Sequence, residues 1–255
     1  MSDRTESPID RGSAVYSQPQ WGTYVPALVE EGASSTLDSG VPAAHCAVYT
    51  PRSYESGYAY PLVVWFHDEG GDERDVLSWL PQISDQNYLG IGLRAPLPVT
   101  NGLPTRRRWS TSSGYLDLLE DELAVSLCDL ADRLNVHPER IVVAGVGQGA
   151  TVALRMLLRR PEWFAAGVCL NADWLPDNRL EWWGQYTGKP LWLGHAQDWR
   201  LLTSRSAIQS SKLLRSGGFD VTQHFDDFDE LRPMALAREV NNWLMHRLIG
   251  ETLIA

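Results

Sequence analysis

The stretch from Arg140 to Leu157, RIVVAGVGQGATVALRML, constrains the fold more than any other part of this chain. Its first half, IVVAGV, is a continuous apolar run with β-branched residues. Such a run suits a strand covered on both faces better than one with a wet side. Gly145, Gly147 and Gly149 then punctuate the chain within five residues. From Ala150 the apolar positions recur at helical spacing up to Arg160, where Pro161 stops a helix. A buried strand that turns sharply into a helix needs a neighbouring parallel strand for the helix to return to. That makes a layered α/β protein the natural solution.

The remaining segments agree with this. HCAVYTP (45–51), PLVVWF (61–66) and YLGIGLRAP (88–96) read as strands. Leu116, Leu119, Leu123, Leu127, Leu130 and Leu134 form one apolar helical stripe. FAAGVCLN (164–171), PLWLGHAQD (190–198) and DVTQHF (220–225) are further strands. A helix near 202–216 ends at Gly217 and Gly218, and PMALAREVNNWLMHRL (233–248) closes the chain as a helix with Pro233 in its first turn. This alternation predicts a mostly parallel central sheet with helices on both faces. No internal repeat or Pro/Gly/Ser-rich linker divides the chain. Residues 1–20 are expected to be a loose tail and 21–255 one domain.

Composition narrows the function classes. Hydrophobic residues make up 44% of the 255, enough for a large core, and the formal charge is −10. An acidic chain disfavours nucleic acid and anionic membranes as partners. The apolar runs are strand-length, too short to span a bilayer. MSDRTESPIDRG lacks the apolar stretch of a secretory signal, so the expected location is cytoplasmic. Cys46, Cys128 and Cys169 are odd in number and scattered in apolar surroundings, which predicts reduced core residues. No cofactor and no metal site is expected.

Ligand sites on parallel sheets lie at the carboxyl ends of the strands. Three motifs fall there: VVWFHDEGGDERD after the strand at 61–66, the GVGQG turn, and the pair LGHAQD and FDDFDE. Their order matches the oxyanion loop, nucleophile, acid and histidine of α/β-hydrolases. NVHPERIVVAGVGQGATVAL resembles the strand, nucleophile elbow and helix of the phospholipase/carboxylesterase family, which includes acyl-protein thioesterases. FHDEGGDE is similar to that family's oxyanion loop, LRAPLP with Trp109 to its substrate-side segment, and REVNNWL to its last helix. The likeness runs over roughly residues 45–249. It implies an α/β-hydrolase fold and a Ser–His–Asp triad acting on an ester or thioester, with two backbone N–H groups binding the oxyanion.

The residues themselves depart from that triad. The elbow pattern G-x-S-x-G reads Gly145-Val146-Gly147-Gln148-Gly149, so Gly147 stands at the nucleophile position without a side chain. The acid position is retained as Asp198. The histidine position holds Asp229, followed by Glu230. A carboxylate with an ordinary pKa of about 4 is no substitute for an imidazole base. In the oxyanion loop Asp68 replaces a glycine after His67. The backbone donors near Glu69 and of Gln148 belong to the main chain and survive such substitutions. One change silences a triad; departures in three loops indicate that the chemistry was lost or the purpose changed.

Two histidines are candidates for a displaced base. His195 sits at a strand end three residues before Asp198, where packing is the expected role and reach into the pocket the alternative, and His224 lies inside a strand, expected to face into or out of the sheet. His67, Asp68, Trp109 and His195 are the candidate pocket residues, with His67 expected to be structural in the oxyanion loop. The acidic run Asp226, Asp227, Asp229 and Glu230 reads as a solvated loop, with a hard-cation site as the alternative. Arg106, Arg107 and Arg108 read as surface charge, with an anion grip as the alternative. Trp182 and Trp183 either cap the pocket or pack locally.

The leading expectation is a catalytically inactive relative of serine carboxylesterases and phospholipases that binds a small acyl or ester-like ligand or a protein partner. The alternatives are a hydrolase with a rearranged, non-serine site, and a structural subunit with tryptophans at a protein interface.

Overall fold

A computed structural model describes residues 45–99, 106–172, 186–196, 204–226 and 233–249. A seven-stranded sheet runs through it in the order β1 (Cys46–Tyr49), β3 (Leu89–Leu93), β2 (Tyr60–Phe66), β6 (Val136–Val146), β7 (Ala166–Leu170), β8 (Pro190–Ala196) and β9 (Asp220–Asp226). Only β1 is antiparallel to its neighbour; every other pairing is parallel. β4 (Leu97–Pro98) and β5 (Arg107–Arg108) form a separate short ribbon.

The central strands are buried along their length. Every residue of β2, β3 and β7 is inaccessible, as is Ile141–Gly145 of β6. Such strands need apolar cover above and below. α1 (Asp75–Ile83) and α5 (Pro233–Leu248) cover one face, packing Val76, Leu80, Val240 and Leu244 onto Val63, Trp65, Val142 and Trp192. α2 (Ser113–Arg133), α3 (Gln148–Arg159) and α4 (Ser204–Ser216) cover the other. The predicted leucine stripe is the buried face of α2: Leu116, Leu119, Leu123, Leu127 and Leu130 all enter the core. Each fully buried leucine is worth about 2 kcal/mol in transfer free energy, so the stripe alone fixes which side of α2 faces the sheet.

Several boundaries differ from the sequence reading. β6 starts at Val136, ahead of the predicted Arg140, because the strand passes a register irregularity beside Tyr60 before its apolar run begins. α1 was not anticipated. Its sequence, DVLSWLPQI, carries Pro81 inside the helix, where proline removes a main-chain hydrogen bond and crowds the preceding turn, so the segment lacks a clear helix signature. Cys169 is fully buried, but Cys46 and Cys128 are only partly so. Cys46 packs against the core from its rim. The strand ending at Asp198 is described only to Ala196.

The α/β layering leaves the carboxyl ends of β2, β6, β7 and β8 in a row along one edge of the sheet. α3 leaves that edge directly from the end of β6.

Candidate functional site

Gly147 sits between β6 and α3 with φ 55° and ψ −119°. This backbone region is open to glycine and strained for any residue with a Cβ. It is the conformation an elbow needs to lift one residue above the strand end. Gly149 makes the crossing possible. A Cβ there would overlap the carbonyl oxygens of Phe66 and His67, so the first turn of α3 lies directly against the end of β2. Gly147 N–H donates to the Leu170 carbonyl at 2.8 Å, tying the turn to β7.

The loop after β2 fills the space beside the elbow. The Asp68 side chain turns toward Gly147, and its Oδ1 accepts the Gln148 N–H at 2.8 Å and the Glu69 N–H at 2.7 Å. These are the two main-chain donors that the sequence nominates for an oxyanion. They converge on one atom, and that atom belongs to the protein. A Cβ built on Gly147 would lie 2.5 Å from Asp68 Oδ2 and closer still to Cγ and Oδ1. The carboxylate therefore occupies the space where a side chain at the elbow would begin. A carboxylate at the first N–H of a helix is also favoured by the helix dipole.

His67 and Trp109 are not open pocket wall; both lie beneath the loop as braces. His67 is 1% exposed. Its Nδ1 bonds the Asp68 carbonyl at 2.7 Å, and its Nε2 accepts the Ala95 N–H at 3.1 Å. Nε2 is an acceptor there, so Nδ1 carries the proton and the ring is neutral. Burial lowers its pKa, an effect only partly offset by the bond to the Asp68 carbonyl and by nearby carboxylates. Trp109 is 3% exposed. Its indole donates to the His67 carbonyl at 2.8 Å, and its backbone N–H donates to Gln148 Oε1 at 2.6 Å. Sequence reasoning placed Trp109 near the site, but its structural role follows only from the fold. β5 adds a further tie. Gly70 N–H donates to the Arg107 carbonyl at 2.8 Å, and Arg107 N–H returns a bond to Gly71 at 3.1 Å. Arg107 thus contributes through its backbone, while Arg106 and Arg108 are exposed.

The loop is rich in carboxylates. Glu73 is buried and paired with Arg94, whose Nε lies 2.7 Å from Oε2. Burial raises the Glu73 pKa, but the bonds to Arg94 outweigh it and the net shift is downward. Asp75 has no such partner to offset its burial and the neighbouring Asp72, so its pKa rises to about 6.

The two candidate histidines go to different places. His224 lies on the α5 side of the sheet, stacked on Trp192 at 5.9 Å, with Nδ1 3.2 Å from Glu239 Oε2. The period-two alternation of β9 points it away from α3, so it is not a base for the elbow. His195 is on the opposite side, 5% exposed, against the Phe225 ring at 5.5 Å. Neither of its nitrogens has a hydrogen-bond partner among the described residues, and burial lowers its pKa to about 4. It is neutral at pH 7. Asp198, Asp229, the rest of the acidic run from Asp227 to Glu230, Trp182 and Trp183 lie outside the described residues. Among the described residues no group of three or more His, Cys, Asp or Glu could hold a metal ion, and no helix is long and apolar enough to cross a membrane.

No protein-family model matches the chain. Over 203 residues it is 24% identical to MhqD of Bacillus subtilis, a protein provisionally named as a hydrolase; the match covers 77% of this chain and 98% of that one. The structure superposes on a Bacillus cereus carboxylesterase with a TM-score of 0.64, at 18% identity, covering 80% of this chain and 95% of the other. Arabidopsis thaliana SOBER1 gives a TM-score of 0.58 at 17% identity, over 74% of this chain and all of SOBER1. The chain thus has the α/β-hydrolase fold, in the form that carboxylesterases share.

Proposed function

We propose that this chain is a non-catalytic relative of the serine carboxylesterases, located in the cytoplasm, which binds a small acyl-like ligand or a protein partner without turning over an ester. The observation that carries this reading is at Gly147. The elbow conformation is retained, but the residue at its apex has no nucleophile. A serine enzyme needs an oxygen there, and a base within hydrogen-bond reach of it. The position that would supply the base is Asp229. His224, the nearest histidine in sequence, is engaged with Glu239 on the α5 face.

The test is hydrolysis of a short p-nitrophenyl ester by the natural protein and by Asp68→Gly/Gly147→Ser/Asp229→His. The natural protein is expected to match buffer and albumin controls, and the triple substitution to exceed them. Turnover by the natural protein that is abolished by Asp198→Ala would overturn the reading in favour of a rearranged hydrolase.

A further inference from the structure

Loss of a nucleophile does not by itself explain what fills the site. An oxyanion hole without its serine would still be two unpaired N–H donors at a helix N-terminus, a ready place for a carboxylate or an ester carbonyl. Here both donors meet at Asp68 Oδ1, at 2.7 and 2.8 Å. Charge-assisted bonds of that length are stronger than those to a neutral carbonyl. Any external acyl oxygen would have to displace them. The same carboxylate also lies where a Cβ at position 147 would be. Asp68 and Gly147 are therefore sterically linked: the side chain at 68 can sit on the donors only because 147 has none.

From this we infer that Asp68 is a built-in oxyanion. It is the resident ligand of the Glu69 and Gln148 amides, and it keeps external carboxylates and acyl carbonyls off those two donors, so that an acyl ligand reaches them only once the side chain swings away. The inference rests on the non-catalytic reading and goes further, since it assigns an autoinhibitory contact to one residue. It also predicts the order in which the site would have to be reopened. Gly147→Ser alone forces the carboxylate off its donors or strains the elbow; removal of the Asp68 side chain comes first.

Acetate is the probe, followed at the backbone amide signals of Glu69 and Gln148 by ¹H–¹⁵N spectroscopy of the full chain. In the natural protein these two signals are expected not to move on titration. In Asp68→Ala they are expected to shift saturably, with acetate bound about tenfold or more tightly than by the natural protein. Asp68→Asn, which keeps the shape and one carbonyl acceptor, is expected to stay closed. Equal binding by the natural protein and Asp68→Ala would overturn the inference, as would no shift in a folded Asp68→Ala. The arm on the natural protein holds whether or not the variant folds, because saturable shifts there alone would overturn it.

Melting temperatures give a second reading. Gly147→Ser is expected to lower Tm by about 5 °C or more with Asp68 present and by clearly less in Asp68→Ala. Backbone strain is common to both backgrounds, so the difference isolates the contact; equal losses would overturn it. The ester assay separates the two claims. A natural protein that hydrolyses the ester yet ignores acetate refutes the non-catalytic reading and leaves the contact standing. An inert protein that binds acetate at both amides does the reverse.

Discussion

His67 and His195 both end parallel strands, both are buried, and both are neutral at pH 7, yet their surroundings differ completely. His67 closes β2 with each ring nitrogen bonded, one to the Asp68 carbonyl and one to the Ala95 N–H. Trp109 and Gln148 extend that network to the start of α3. His195 closes β8 with neither nitrogen bonded among the described residues. A buried polar group that is satisfied makes its surroundings specific; one that is not is a standing cost of about 1–3 kcal/mol. The difference teaches that the end of β2 is fixed as architecture by its bonds to the start of α3. The described part of β8 shows no comparable wiring.

The comparison can be broken most sharply at Gly149. Gly149→Ala drives a Cβ into the Phe66 and His67 carbonyls, which are backbone and cannot turn aside. We expect a loss of about 4 kcal/mol in a denaturant melt, at the top of the range for single substitutions. A loss under about 1 kcal/mol would mean that the β2–α3 contact is not rigid.

The next effect is a pH dependence. The folded pKa of His195 is depressed from 6.5 to about 4 by burial. Above pH 6.5 neither state is protonated there, and the fold is undisturbed. As pH falls from 6.5 to 4 the unfolded chain takes up a proton that the folded chain refuses, so stability drops, by about 3 kcal/mol in total. Glu122, raised to about 7 by burial, acts in the opposite sense: it favours the fold at low pH and loses that contribution as pH rises through 7. The readout is therefore the difference between His195→Leu and the natural protein, measured from pH 7.5 to pH 4. The variant should gain on the natural protein as pH falls. Parallel profiles would show that His195 is protonated in the folded state or finds a partner.

The smallest effect concerns sign at neutral pH. His67→Leu leaves the Ala95 N–H and the Asp68 carbonyl without partners and should lose about 2 kcal/mol. His195→Leu should be neutral or stabilising at pH 7.5. Chemical denaturation of the two variants side by side checks this, and equal losses would erase the distinction between the two strand ends.

How far the sequence spoke depended on the range of the interactions. The β6–turn–α3 unit was legible because its apolar run, glycines and helix period are local. The closing helix at 233–248 was legible for the same reason, with Pro233 at its start. A mostly parallel sheet with helices on both faces followed from the order of such units, and the α/β-hydrolase fold was what the resemblance of the motifs implied. α1 was missed because DVLSWLPQI is short and contains a proline. At the site, sequence position nominated Glu69 and Gln148 as donors, but not the atom on which they converge. That atom comes from Asp68, and no periodicity or spacing links two residues whose contact spans 80 positions. The tautomer of His67 and the opposite facing of His195 and His224 likewise depend on sheet register and on side chains from other strands.

The separation of 80 positions also bears on how the chain assembles. β6, β7, β8 and β9 follow one another in sequence and are parallel neighbours in the sheet, so the elbow can form among near neighbours. β2 meets β6 only after the chain has closed a loop containing α1, β3 and α2. Long closures slow folding more than they weaken the product. The turn at Gly147 is thus within reach of the C-terminal half alone, whereas Asp68 arrives with the N-terminal half. Burial of the Gln148 amide by Asp68 would report, in a refolding experiment followed by hydrogen exchange, the moment at which the two halves of the sheet join.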